Sequence, residues 1–342
     1  MSLHEADIRP ADLLAEYLRL NAEDGRRLLN HPEPLEERPC PGCRGDASNP
    51  AFRKNGFSLV RCAECDSLYV TPAPSPKALG NFYRDSSSTN YWANVFFPAV
   101  AEARRKAIYR PRAERVAGIA AEHGIDVGAV VDVGAGFGLF LEEFRALVPT
   151  AMMRAVEPGR AHAAQLASKG FETFEGYAQD AAADPAWRDG ADVVTLFEVL
   201  EHLLEPQAVL MRLANLVRPG GLILVSGLCG DGFDIRVLGE RSKPVSPPHH
   251  LTFLSIAGAE MVIERCGLEL FSITTPGELD VDIVRNAALE KPECVEDPVI
   301  RRLVLEASDE ERQTFQESLK QSRQSSHMWI VVRRPEGNFI KR

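Results

Sequence analysis

At 342 residues, with 26% of them charged and a formal net charge of −10, the chain is long enough for two or three structural units and a large core. The acidic balance argues against a surface built for nucleic-acid phosphates, which carries a basic stripe, so nucleic acid is not the expected partner. No run approaches the roughly 18 apolar residues of a membrane span, and Met1–Pro10 carries Glu5 and Asp7 without an apolar stretch, so no membrane partner and a cytoplasmic location are expected. Along the chain, Ala11–Leu29 repeats apolar residues at helical spacing (Leu13, Leu14, Tyr17, Leu18, Leu28 and Leu29) before Asn30-His-Pro-Glu-Pro34 breaks it. This predicts an N-terminal helical arm over residues 1–36.

Of the seven cysteines, four form two tight pairs, Cys40-Pro-Gly-Cys43 and Cys62-Ala-Glu-Cys65, with 18 residues between them. Two such knuckles at that separation match a four-thiolate zinc site, and four thiolates leave no open position for catalysis, so the zinc is expected to be structural. The expected ribbon covers residues 37–72, with short strands at Ser58–Arg61 and Ser67–Val70. Its basic residues Arg38, Arg44, Arg53, Lys54 and Arg61 are matched by Glu36, Glu37, Asp46, Glu64 and Asp66. Cys229, Cys266 and Cys294 read as small apolar fillers.

The proline-rich Thr71–Pro76 cannot easily continue a strand or helix, and a linker and helical connector is expected over residues 73–123. Lys77–His123 reads as mostly helical, interrupted by the polar tract Asp85–Asn90 and by Pro98. Its aromatics Phe82, Tyr83, Tyr91, Trp92, Phe96 and Phe97 either line a pocket or fix the ribbon to the next domain.

From Val127 to Thr275 strand and helix patterns alternate, the signature of an α/β doubly wound, mostly parallel sheet with helices on both faces. The most informative stretch is Val130-Val-Asp-Val-Gly-Ala-Gly-Phe-Gly138, leading into a helical pattern over Leu139–Leu147. It reads as strand, tight turn, helix, with glycines that let the backbone pass close to a ligand. A dinucleotide loop would need a glycine at position 139, where the chain has Leu139. Ser255 reads as the N-cap of a helix ending at Cys266–Gly267. Leu268–Thr274 and Met328–Val332 read as the last two strands, the latter antiparallel, with an insertion over residues 276–325 that is polar and helical in its second half.

Asp132-x-Gly134-x-Gly136-x-Gly138 resembles motif I of class I S-adenosylmethionine-dependent methyltransferases. Ala155-Val-Glu157-Pro resembles that family's second strand, Ala191–Glu198 with Val199-Leu-Glu-His202 its fourth strand and turn, and Leu216–Val225 its Pro-Gly-Gly turn and fifth strand. The resemblance implies a seven-stranded class I core over residues 124–275 and 326–336. It implies S-adenosylmethionine as cofactor, held by Asp132, Gly134, Gly136, Gly138, Phe197 and a Glu157 carboxylate that accepts from two ribose hydroxyls. The acid that many relatives place after the third strand is displaced here, leaving Tyr177, by stacking, or Asp180, by substitution, as the adenine contact. Glu198 would meet the cofactor's ammonium or a substrate hydroxyl.

Together with the cysteine ribbon, the Tyr-Val-x-Pro-x-Pro linker and Pro247-Pro-His-His-Leu-Thr-Phe253 resemble sugar C-methyltransferases of carbohydrate and antibiotic clusters. That resemblance implies a small hydroxylated or keto acceptor such as a nucleotide-linked sugar, C- or O-methylated with loop residue His249 or His250 as general base. Glu278, Asp280 and Asp282 are candidates for sugar hydroxyls. Two rival readings use the same residues: an RNA methyltransferase with a zinc module, and a zinc-ribbon interaction protein with a degenerate core. Oligomeric state stays open.

Overall fold

The computed structural model describes residues 4–337, so the first three residues of the expected arm lie outside the described residues. The arm helix spans Ala11–Leu29. Three strands come next, β1 (Ser48–Lys54), β2 (Phe57–Cys62) and β3 (Leu68–Val70). The sequence pattern misses β1 because Pro50 lies within it. It is an edge strand, where a missing N–H is tolerated, and its register with β2 shifts at Pro50/Phe52.

The connector differs from expectation. Ser86 alone separates the helix Pro76–Asp85 from the next, and from Ser87 to Glu122 the chain is helical throughout. Pro98 does not interrupt it. A π-helical turn at Trp92–Phe96 precedes it, and a second at Arg105–Tyr109 precedes Pro111. The wider turns shift hydrogen bonding away from the i−4 carbonyl that each proline ring would otherwise strike.

The core sheet contains β4 (Ala129–Val133), β5 (Met152–Glu157), β6 (Glu172–Glu175), β7 (Ala191–Phe197) and β8 (Val217–Leu228), all mutually parallel. A two-residue strand, β9 (Thr252–Phe253), joins the ribbon sheet as its fourth member, next to β3. Strands β10 (Glu269–Thr274) and β11 (His327–Arg333) complete the core, with β11 antiparallel to both neighbours, giving the order β10-β11-β8-β7-β4-β5-β6. This is the class I methyltransferase fold. Alternate residues feed two cores, Val131, Val194, Leu196 and Ile223 on one face and Val130, Val193, Leu222 and Leu224 on the other.

Ser255 caps the helix Ile256–Cys266 by accepting from Gly258 N–H, and Gly267 ends it at φ +66°. The insertion is helical in its first half too, at Asp280–Glu290, where Val281, Val284 and Ala288 are buried and two acids occupy the first turn. No helix among the described residues is long and apolar enough to cross a membrane.

Candidate active site

Beyond β4 the chain turns through Gly134, Gly136 and Gly138, with φ of +74°, +51° and +74°. A Cβ at Gly134 would stand 2.7 Å from Val199, and one at Gly138 2.6 Å from Leu166. Gly136 is different, because the nearest atom beyond its chain neighbours would be Gly134 O at 4.0 Å. That open side is a cradle which any side chain would fill. Glu157 ends β5 beside it, accepting from Gly136 N–H at 2.9 Å and from Gly159 N–H at 2.8 Å, one bond per oxygen. Each oxygen keeps a lone pair for a hydroxyl. Asp132 is buried under the loop and accepts from Thr195 Oγ1 at 2.6 Å, and burial pushes its carboxyl up to about 7.

Past β7 the backbone of Glu198 takes φ +55°, a strained value for a residue other than glycine. One carboxylate oxygen, Oε1, accepts from Arg112 Nη2 at 2.7 Å and Ser226 Oγ at 2.7 Å, and pairs with His327 Nε2 at 2.8 Å. Burial alone would raise this carboxyl, but His327 and Arg112 outweigh it and hold it well below the usual range. Phe197 is buried at the end of β7. It shares the face of Val193 and Thr195, and its ring packs 5.1 Å from Phe140 with the Arg112 guanidinium 4.7 Å above it.

The two loop histidines have different surroundings. His249 is 5% exposed, its Nε2 bonds Ser88 Oγ at 2.9 Å, and Tyr17, Phe82 and Tyr83 surround its ring. Burial there, with His250 adding to it, lowers its pKa to about 3. His250 is half-buried and its Nδ1 lies 2.5 Å from Pro244 O, so Nδ1 carries the proton and Nε2 keeps its lone pair. Burial lowers it to about 4. The His202 ring stands edge-on to that of His250, with centroids 4.8 Å apart. Burial and the two neighbouring histidines hold His202 well below its ordinary value. Glu201 is 3% exposed, with Oε2 lacking a hydrogen-bond partner, and burial pushes it up to about 8.

The ribbon fixes this loop. Leu251 N–H donates to Glu201 O at 2.8 Å, and Val70 N–H donates to Leu251 O at 2.9 Å. Arg38 donates to the carbonyls of Val70, Leu204 and Leu251 at 2.8, 2.8 and 2.7 Å. Within the ribbon the sulfurs of Cys40, Cys43, Cys62 and Cys65 lie within 4.8 Å of one another, with Cys40–Cys65 at 3.5 Å and Cys43–Cys62 at 3.3 Å. These separations are too long for disulfides and near the ~3.8 Å of sulfurs sharing one tetrahedral zinc.

Tyr177 and Asp180 follow Gly176, whose N–H donates to Glu157 O at 3.1 Å. Tyr177 is half exposed, and Asp180 accepts from Tyr177 N–H at 3.3 Å to cap the helix Ala178–Ala183. Asp280 is not available to a sugar, because it is 1% exposed and takes Ser325 Oγ, Ser326 N–H and Gln316 Nε2. Glu278 bonds Lys320, and Asp282 accepts from Glu5 N–H. Cys229, Cys266 and Cys294 are buried. Arg112, Ser226 and His327 around Glu198, and Glu201 beside His202 and His250, carry no assignment in the sequence reading. Only the Glu-x-x-Glu-His spacing from Glu198 to His202 carried a local signal.

The profile of the family described as methyltransferase domain matches residues 101–272. A ubiquinone biosynthesis O-methyltransferase of Xanthomonas axonopodis pv. citri (strain 306) is 29% identical over 155 residues, 42% of this chain and 64% of that protein. The enzyme of the same name from Aeromonas salmonicida (strain A449) is 36% identical over 104 residues, 28% of this chain and 42% of that protein. The chain thus spans less than two thirds of the length of these relatives. Among solved structures, the plantazolicin methyltransferase BpumL in complex with SAH aligns with TM-score 0.48 and 11% identity, over 75% of this chain and 93% of that one.

Proposed function

The chain belongs to the methyltransferase-domain family, and on that premise we propose that it moves a methyl group from S-adenosylmethionine to a small hydroxylated or keto acceptor. A nucleotide-linked sugar is the acceptor class that the ribbon and histidine loop favour. The observation that carries the donor assignment is the cradle at Gly136 with Glu157 beside it, which suits a ribose diol against a close backbone. When bound, the cofactor supplies an activated sulfonium methyl, whose S–C bond breaks as the acceptor's oxygen or carbon forms the new bond. The electron pair leaves with sulfur.

The chain's own residues orient, exclude water and move a proton. The N–H groups at the start of the helix Leu139–Leu147 favour the cofactor's carboxylate. The unengaged oxygen of Glu198 faces its ammonium or a substrate hydroxyl. The acceptor's proton leaves at His250, whose Nε2 lone pair is unspent, whereas His249 is committed to Ser88 and its aromatic enclosure. The four cysteines hold a structural zinc whose ribbon fixes the histidine loop. Calorimetric titration with S-adenosylmethionine and S-adenosylhomocysteine tests the assignment. Micromolar binding that disappears in Glu157→Ala is expected, and no binding by the unaltered chain would leave a degenerate core.

A further inference from the structure

We propose that Glu201, His202 and His250 hold a divalent cation of the first transition row, at which an acceptor bearing two adjacent oxygens docks. One carboxylate oxygen and one nitrogen from each ring lie within 4.8 Å of one another, so a small inward side-chain movement would bring them to the roughly 3.0–3.4 Å of ligands sharing an ion at ~2.1 Å each. Two imidazoles and one carboxylate form a ligand set for such ions that leaves coordination positions open. The second observation is Glu201 Oε2, buried without a hydrogen-bond partner; Glu5 Oε1 and Asp234 Oδ1 share that state, but among the described residues neither stands in a group of possible metal ligands. An orphaned buried carboxylate requires a partner, and an ion supplies one.

The outer contacts fit as well. His250 Nδ1 donates to Pro244 O. Tyr83 O–H donates to His249 O at 3.0 Å, which leaves its oxygen to accept from His202 Nδ1 at 3.4 Å. Both rings are therefore oriented through Nδ1 and present Nε2, the arrangement by which metal-binding histidines are held. Leu251 N–H on Glu201 O ties the two ligand-bearing segments together, and Val199, between Glu198 and Glu201, packs on Gly134 of the cofactor loop.

This rests on the methyltransferase reading and replaces the base role of His250, whose Nε2 lone pair goes to the ion, with one exerted on the acceptor through that ion. Two adjacent oxygens, as in a vicinal diol, a catechol or an α-hydroxyketone, replace two waters on the cation. One hydroxyl proton passes to solvent because the ion stabilises the oxyanion, and that oxygen attacks the methyl as the S–C bond breaks and its electron pair leaves with sulfur.

The test is a calorimetric titration of the zinc-loaded protein with Co²⁺, alongside S-adenosylhomocysteine. We expect one further equivalent of Co²⁺ per chain, with weak d–d absorption lacking thiolate charge-transfer bands. Glu201→Gln and His250→Asn should each lose it while retaining ribbon zinc and S-adenosylhomocysteine binding, which shows that they fold. Absence of a second equivalent in the unaltered protein, or its persistence in both variants, overturns the site. S-adenosylhomocysteine binding without Co²⁺ uptake leaves the methyltransferase reading intact and removes only the cation. Loss of S-adenosylhomocysteine binding in the unaltered protein instead removes the donor site.

Discussion

Arg112 and Glu198, 86 residues apart in the chain, meet at 2.7 Å over the end of β7. The guanidinium is 5% exposed, lies over the Phe197 ring and approaches Trp329 at 5.9 Å, so its charge is answered by a carboxylate at the rim of the site. The pair joins the connector helix to the sheet at the point where acceptor and donor are to meet. Removing one member leaves the other charge poorly compensated. Glu198→Gln is therefore expected to cost about 1–2 kcal/mol, below the usual cost of breaking a fully buried pair because Glu198 is partly exposed. Turnover should fall about 10–100-fold. Urea unfolding and steady-state kinetics read the two effects, and unchanged values in both would separate this pair from the site.

Gly136→Val should abolish S-adenosylmethionine binding without changing zinc content. The substitution puts a β-branched residue at φ +51° and fills the cradle. Retained binding by calorimetry would move the cofactor away from this loop.

Arg38→Ala removes the donor to three loop and ribbon carbonyls, of which Leu251 O keeps its bond from Val70 N–H, so a loss of about 1–3 kcal/mol is expected. Zinc should stay bound, and turnover should drop because the histidine loop loses its anchor. Cys43→Ser should reduce zinc from one equivalent toward none and give the same loss of turnover. Full turnover in the zinc-free variant would detach the ribbon from catalysis.

His249 also makes stability depend on pH. Its pKa is lowered in the fold from 6.5 to about 3, so the unfolded chain gains a proton first as pH falls. Its stabilising neutral form is complete above pH 6.5 and is lost progressively below it. From pH 7 to pH 5 the protein should lose about 2 kcal/mol through this residue, at ~1.4 kcal/mol per pH unit below 6.5. His249→Asn should not show that part of the loss, and the difference between the two urea curves cancels other titrating groups. An equal pH response in both proteins would mean that His249 is not enclosed as described.

Where the information was local, the sequence was legible. The glycine loop, Glu157 at its strand end, the capped helix Ser255–Gly267 and the two cysteine knuckles each fit within a few residues whose backbone needs only those side chains. Pro98 misled because a π-helical turn, set by hydrogen bonding over the preceding residues, accommodates a ring that an ordinary helix would reject. Phe197 lies on the face of Val193 and Thr195, against Phe140 and under the Arg112 guanidinium, a placement that strand alternation alone does not give.

The chain by itself determined the order of strands and helices, the four-cysteine cluster of the ribbon and the glycine cradle, because apolar period, turn chemistry and cysteine spacing act over short distances. Tertiary structure decided what each polar group faces. It brought Arg112 and His327, the latter 129 residues from Glu198, to one carboxylate oxygen. It enclosed His249, left His250 with a free lone pair, and set Glu201 beside two imidazoles. Those pairings depend on how β7, β8 and the ribbon close around one another, and burial then sets the charge each group can carry.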